Sequence, residues 1–113
     1  MYESIINLIK EMNFQFWWPV DISYHNKNEG DWRVEVIIGA ILTQNTKWNL
    51  VEKNLEYLKS KNFIFRLENI NNLSTNDIKV PFRLRKLETL KSLSNYILEN
   101  YENIDNFSKI EII

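Results

Sequence analysis

The chain has 113 residues, a net charge of −1 and 44% hydrophobic residues, values typical of one globular domain rather than a disordered or fibrous protein. Two glycines and two prolines are too few for the tight turns of an all-β fold, and they leave no glycine-rich phosphate loop. The absence of cysteine excludes disulfides, thiolate metal sites and a cysteine nucleophile, and a single histidine cannot form a histidine metal site. The sequence therefore predicts no metal and no cofactor.

Hydropathy and charge limit the partners that the chain could have. No run of about 18 apolar residues occurs, so we expect no membrane span and a cytoplasmic protein. The nearly balanced charge gives no long-range attraction to nucleic acid, so any nucleic-acid-binding surface has to be a local patch.

Apolar residues recur at helical spacing through most of the chain, which predicts an all-α fold. The fold is expected to be a helical bundle of about four main helices plus short turns, in a single domain of residues 1–113. Residues 14–31 are aromatic, then polar, and are predicted to form a long irregular loop. The predicted helices cover residues 2–13, 32–43, 46–60 and 82–101, with one helical turn within 62–73. Ser74 and Asp77 resemble a capping box that opens a short turn, which is predicted to stop before Pro81.

The helix over 32–43 has Asp31 as its predicted N-cap and a single buried apolar face. Its β-branched segment VEVIIGAIL is also compatible with a buried strand, but steps of three and one residues favour a helix. Asn45 or Thr46 is the predicted cap of the next helix. The apolar face of the helix over 32–43 consists of Val34, Ile37, Ile38, Ile41 and Leu42.

In the helices over 46–60 and 82–101, charged residues are predicted to lie opposite the apolar stripes. Glu52 and Glu56 alternate with Lys53 and Lys59, as on a solvated face. His25, in the predicted loop, is interpreted as a surface residue. Arg83 and Lys86 are expected to lie opposite the leucines, on a solvated cationic face or along a phosphate backbone. The two apolar stripes consist of Trp48, Val51, Leu55 and Leu58, and of Leu84, Leu87, Leu90, Leu93, Ile97 and Tyr101.

The segment FQFWWP, residues 14–19, places four aromatic residues before a proline. Flat rings beside a rigid turn can form a slot for a planar ligand such as a nucleobase. The same rings can instead close the hydrophobic core, and the segment alone does not distinguish these possibilities.

The segment LTQNTKW, residues 42–48, joins two predicted helices. The free N–H groups of a helix start, the Thr46 hydroxyl and the Lys47 ammonium together suit a phosphate. Gln44 has a neutral amide that donates and accepts, so it can fill the space left by a flipped base and bond to the unpaired partner base. An ordinary interhelical turn, with Asn45 and Thr46 as caps, is the alternative interpretation.

Together, FWWP and EVIIGAILTQNTKWNLVEKNLEYLK resemble the beginning of endonuclease III-type DNA glycosylases, in the helix-hairpin-helix superfamily. The most similar branch is the 3-methyladenine glycosylases. In this resemblance, Trp17, Trp18, Pro19 and Trp48 would help to line the pocket for the damaged base. Gln44, with Asn45, Thr46 and Lys47, would be the wedge inserted into the duplex and the adjacent phosphate contact. The resemblance covers roughly residues 3–100 and implies the N-terminal part of the endonuclease III fold.

The departures from this family pattern concern its catalytic half. The segment IKVPFRLRK stands where the family has Ile-x-Pro-Ala-Gly-Phe; it lacks the glycine and is one residue shorter. The glycine-rich hairpin, the catalytic aspartate and lysine, and the cluster cysteines of the family are absent. The chain stops at Ile112 and Ile113, which suggests either an interrupted sequence or a terminal element that docks on the core.

The resemblance therefore implies the N-terminal half of a base-excision repair glycosylase for alkylated or damaged bases, with no catalytic residue of its own. We expect weak binding to double-stranded DNA at the nucleoid and little activity without a second chain that carries the other half. The alternative is a small, non-catalytic helical protein-interaction module with the aromatic cluster in its core.

Overall fold

The computed structural model describes residues 21–101, and within them all regular secondary structure is helical. The predicted all-α class is thereby confirmed. The predicted helix over 2–13 and the aromatic cluster of residues 14–19 lie outside the described residues. In chain order the elements are α1 (Ile22–Lys27), α2 (Trp32–Leu42), α3 (Trp48–Ser60), α4 (Leu67–Ile70), a 3₁₀ turn (Thr75–Asp77) and α5 (Arg83–Tyr101).

Helix α2 is the centre of the core, with α3 and α5 packed against it and α4 packed against α5. Every residue from Val34 to Leu42 is buried, so the prediction of a single buried face was wrong. The reason is that α2 is surrounded by other elements, and only its first residues, Trp32 and Arg33, reach partial exposure. A helix that is apolar nearly all round is stable only in such a position.

The N-terminus of α2 has the predicted cap. The Asp31 carboxylate accepts a hydrogen bond from the Arg33 N–H at 2.9 Å, and the Arg33 guanidinium bonds the same carboxylate. The helical interpretation of VEVIIGAIL is confirmed, since Trp32–Leu42 is one uninterrupted helix. The spacing of apolar residues therefore predicted this element correctly in spite of its β-branched composition.

Residues 22–27 form helix α1, so the prediction of an irregular loop was wrong for this part of 14–31. Asp21 caps α1 by accepting a hydrogen bond from the Tyr24 N–H at 2.9 Å. The helix is held in place by the Tyr24 hydroxyl, which donates to the Phe63 carbonyl at 2.7 Å. One short turn and a half is too little sequence for a helical periodicity to be seen.

A buried ion cluster connects α1, α2 and α3. Glu35 on α2 is 1% exposed, and its Oε1 lies 2.8 Å from Nε2 of His25 and 3.0 Å from Nζ of Lys59. His25 is also buried, and its ring contacts Phe65 edge to face. The expectations of a surface histidine and of a fully solvated Lys59 were therefore wrong, because the buried Glu35 needs polar partners.

The ion cluster generates a stability prediction. Glu35→Ala removes the shared acceptor and leaves two cation-forming groups without it, so the free energy of unfolding should fall by about 3 kcal/mol. Urea denaturation of the variant and of the original chain measures this difference. Glu52→Ala, at an exposed position of α3, is the control and should change stability by less than about 0.5 kcal/mol. Equal effects of the two variants would contradict a structural role for the cluster.

Asn54 fixes the segment that follows the 3₁₀ turn onto α3. Its fully buried amide donates to the Asp77 carbonyl at 3.0 Å and accepts from the Lys79 N–H at 2.6 Å. The predicted Ser74–Asp77 capping box is confirmed. Burial opposes ionisation of Asp77, but the bonds from Ser74 and Lys61 outweigh this effect and lower the pKa of Asp77. The segment leading to α5 is therefore held by specific polar contacts.

Replacing Asn54 tests this attachment. Asn54→Leu leaves the Asp77 carbonyl and the Lys79 N–H without their partner, so the free energy of unfolding should fall by about 1–2 kcal/mol. Asn49→Leu, at an exposed position of the same helix, provides the matched control in the same urea titration. If both variants were equally stable, the amide would have no structural role.

Helix α5 covers the core with one face, as predicted, but its buried apolar stripe begins at Leu87 rather than at Leu84. Leu87 and the three following apolar residues of the stripe, Leu90, Leu93 and Ile97, are buried. Leu84, which was predicted to belong to this stripe, is 59% exposed, and Lys86 is buried instead. Lys86 lies in the first turn of α5, and its ammonium finds a backbone and a hydroxyl acceptor at the end of α2 and in the loop that follows.

Candidate functional site

The loop that joins α2 to α3 consists of residues 43–47. The Thr46 N–H donates to the Thr43 carbonyl at 3.1 Å and closes the turn. Asn45 has φ 54, a left-handed conformation that asparagine tolerates better than most residues. Gln44 and Asn45 are exposed at the tip. The turn therefore presents two amide side chains to solvent.

Lys86 of α5 attaches this loop to the rest of the fold by hydrogen bonds. Its Nζ donates to the Leu42 carbonyl at 2.9 Å and to the Thr46 hydroxyl at 2.5 Å. The Thr46 hydroxyl in turn donates to the Gln44 carbonyl at 3.1 Å. The two acceptors of Lys86 lie on either side of Gln44 in the chain, so the loop is held at both ends.

Helix α3 begins at Trp48, two residues later than predicted, with Lys47 at its N-cap position. The prediction that Asn45 or Thr46 caps this helix was wrong, because both residues are used in the preceding turn. Lys47, at the N-cap position, makes no capping hydrogen bond with its side chain. The exposed Lys47 stands beside this positive helix end, which favours a negatively charged group.

A cavity of about 120 Å³ lies between the loop tip and the first two turns of α5. Phe82, which precedes α5, is 63% exposed and has φ 61, an unusual backbone conformation for a bulky residue. The segment IKVPFRLRK has no glycine where the family pattern has one, and Phe82 takes the left-handed conformation here. The cavity is lined by Gln44, Asn45, Phe82, Arg85, Lys86 and Thr89.

Three of these lining residues, Phe82, Arg85 and Thr89, were not identified as site residues from the sequence. The missing glycine was the signal that pointed to an altered turn at Phe82. The expectation that Arg83 and Lys86 share a solvated face was wrong, since Lys86 is 4% exposed while Arg83 is exposed and lines a separate groove. Burial lowers the pKa of the Lys86 ammonium.

The structure brings together the four predicted wedge and phosphate residues, Gln44 to Lys47, at one surface. Trp48 follows them directly and is half-buried against the core. The other predicted pocket residues, Trp17, Trp18 and Pro19, lie outside the described residues. Their grouping with Trp48 stays a prediction.

Neither a metal centre nor a bilayer-spanning element is found in the part of the chain that the structure describes. Within residues 21–101, no three histidine, aspartate or glutamate side chains are grouped as metal ligands would be. In the same range, no helix combines the length and the apolar character needed to cross a lipid bilayer.

Comparison with known proteins gives one relevant similarity. The chain is 32% identical over 118 aligned positions to a protein of Methanocaldococcus jannaschii described as a "putative DNA repair glycosylase". The alignment covers 98% of this chain and 48% of the relative, so the chain spans about half the length of that protein. No protein-family model and no solved structure matches the chain. The comparison confirms the resemblance to DNA glycosylases that the sequence indicates.

Proposed function

We propose that this chain acts in base-excision repair as the part of a DNA glycosylase that inserts a wedge into duplex DNA. The observation that carries the proposal is the loop of residues 43–47, here called the Gln44 loop. Its tip is exposed, and hydrogen bonds from Lys86 hold it in place. The similarity to the archaeal relative supports a role in DNA repair. Such a role places the chain at the nucleoid.

A fixed loop suits insertion into a base stack. A side chain that enters the duplex must fill the space of a displaced base, and a mobile loop would lose conformational freedom on binding. The hydrogen bonds from Lys86 and Thr46 remove part of that cost before DNA arrives. The Gln44 amide can then donate to and accept from the base that has lost its partner.

The start of α3 is the proposed contact for the neighbouring phosphate. The N-cap residue Lys47 does not cap α3 with its own side chain, and its ammonium is exposed next to the helix start. Helix N-termini bind phosphate through these N–H groups and through the positive end of the helix dipole. Asn45 and Thr46 directly precede Lys47 in the loop, so they lie beside this proposed phosphate contact.

The flipped base would stack on aromatic rings beside the wedge. Trp48 is the first residue of α3 and therefore lies next to the Gln44 loop. The resemblance to DNA glycosylases assigns Trp17, Trp18 and Pro19 to the same pocket, and these residues would supply its remaining walls. Planar rings hold alkylated or otherwise damaged bases by stacking, without dependence on one hydrogen-bond pattern.

Cleavage of the N-glycosidic bond requires a group that these 113 residues do not supply in the expected form. The two glycines, Gly30 and Gly39, both precede the wedge, so the sequence contains no glycine-rich hairpin after it. Among the residues that the structure describes, no aspartate or glutamate lines the cavity. The carboxylate that stabilises the oxocarbenium-like transition state would come from other residues, on a longer protein or on a second chain.

The first test of the proposal is DNA binding. The chain should bind duplex DNA weakly, with a slope of about −2 to −4 in log affinity against log salt, because few phosphates are contacted. Gln44→Ala should lower the preference for DNA with a mismatched or abasic site over intact duplex, and Lys47→Met should weaken binding to both. Fluorescence anisotropy at several salt concentrations measures these effects. Lys53→Met, at an exposed position of α3, is the charge-matched control. Equal effects of Lys47→Met and Lys53→Met would contradict the phosphate contact.

The second test is base release from DNA that contains 3-methyladenine. The chain alone should release no base above background, because flipping costs a few kcal/mol and the stabilising carboxylate is missing. Chromatography of the released base measures the activity. Release that is clearly above background and abolished by Trp48→Ala would show that these 113 residues contain a complete active site.

A non-catalytic protein-interaction module is the second candidate function, and one observation favours it. An open groove of about 520 Å³ lies beside the start of α5, and exposed apolar side chains of Leu50 and Phe82 line it. Exposed apolar clusters mark binding surfaces for other proteins. Under this alternative, Gln44→Ala would leave DNA binding unchanged, whereas Leu50→Ser would abolish association with the partner.

A further inference from the structure

The cavity beside Gln44 contains a buried positive charge without a negative partner among residues 21–101. The Lys86 ammonium is bonded to two neutral oxygens, the Leu42 carbonyl and the Thr46 hydroxyl. An ammonium has three N–H donors, so one donor is not used by these bonds. No ion pair of Lys86 is found in the described part of the chain.

This arrangement is unusual because buried charges are normally paired. Glu35 in the same core follows the rule, since His25 and Lys59 lie within 3.0 Å of its carboxylate. Burial of an unpaired charge costs free energy, and burial accordingly lowers the pKa of Lys86. Lys86 forms one wall of the cavity, and its Nζ lies 6.0 Å from the centre of the Phe82 ring, which forms another.

The other groups around the cavity favour an anion. Arg85 is exposed and adds a second cation, and among the described residues it forms no ion pair. The exposed amides of Gln44 and Asn45 can each donate a hydrogen bond. Within residues 21–101, no carboxylate lines the cavity. Its volume of about 120 Å³ exceeds the roughly 10–15 Å³ that a single water requires.

We infer that this cavity is a phosphate-binding subsite, in which Lys86 and Arg85 neutralise the phosphate and the Asn45 amide donates to its oxygens, while the Gln44 amide stays available for the unpaired base. It is separate from the start of α3, because its cations come from α5. The inference builds on the proposed function in taking the phosphodiester beside the wedge as the physiological ligand. A free phosphate monoester presents the same chemistry, so the experiment uses both sources.

The subsite also connects phosphate binding to the position of the wedge. Lys86 bonds to residues on both sides of Gln44, so an anion that attracts the ammonium acts on the two anchors of the loop. The DNA strand whose phosphate enters the subsite therefore orients the same loop that inserts Gln44. Charge neutralisation and wedge placement would be one event.

The experiment uses the full 113-residue chain labelled with ¹⁵N and titrated with inorganic phosphate at constant ionic strength. The backbone amide signals of Gln44, Asn45 and Arg85 should shift together with one saturation curve. Arg85→Met keeps the buried Lys86 network intact and should weaken phosphate binding roughly fivefold or more. Lys53→Met removes the same charge outside the cavity and should change binding by less than about twofold.

Lys86→Met tests the buried cation, with circular dichroism to confirm that the variant is folded. The folded variant should lose the phosphate-dependent shifts. If Lys86→Met does not fold, Arg85→Met decides the question, because Arg85 lies at the surface. Phosphate affinities of Arg85→Met and Lys53→Met that are equal to each other would overturn the subsite.

A parallel titration with a short DNA duplex separates this inference from the proposed function. Arg85→Met should reduce the salt slope of duplex binding by about 1, as expected for one lost phosphate contact, and Lys53→Met should not. Phosphate shifts without any DNA-induced shift of Gln44 would support an anion subsite and contradict the DNA wedge. DNA-induced shifts of Gln44 that are insensitive to Arg85→Met and Lys86→Met would support the wedge and overturn the subsite.

Discussion

The complete burial of α2 is the constraint on which the rest of this structure depends. A helix that is covered on all sides must have partners for its polar groups, since unpaired groups inside a protein are costly. Near its start, the Glu35 carboxylate obtains them from His25 and Lys59. At its end, the Leu42 carbonyl receives a hydrogen bond from Lys86 of α5. These polar contacts connect α1, α3 and α5 to α2.

The contact at the C-terminal end of α2 also forms the candidate site. The same ammonium that satisfies the Leu42 carbonyl bonds to Thr46, so the turn between α2 and α3 has a defined shape. Gln44 and Asn45 lie at the tip of this turn, so their side-chain amides are exposed. The turn that carries them is short and is held by hydrogen bonds. The Lys86 side chain therefore both satisfies the end of α2 and holds the loop that carries the proposed wedge residue, Gln44.

A loop held in this way suits the proposed function, in which the chain distorts DNA. Flipping a base requires binding energy, and rigid elements lose little of it to conformational ordering. The proposed wedge, the start of α3 and the cavity with Lys86 and Arg85 lie next to one another, so in the proposed function one approach to a duplex engages them together. The archaeal relative is about twice as long as this chain, and we propose that the residues beyond the shared half hold the DNA and carry out the chemistry.

Helix positions and caps were largely predictable because they depend on residues within four or five positions of one another. The apolar spacing of α2, α3 and α5, the Asp31 cap and the Ser74–Asp77 box are of this kind. Helix α1 was missed because six residues are too few to show a period.

The sequence by itself determined the all-α class, the helices α2, α3 and α5, and the turn between α2 and α3 that contains Gln44. Only the tertiary structure decided which charged residues are buried, since His25 bonds to a residue 10 positions away and Lys86 to one 44 positions away. The cavity beside Gln44 likewise joins residues from two distant segments. Such contacts follow from how the helices pack around α2, and helical periodicity carries no information about the partner that a polar residue will meet.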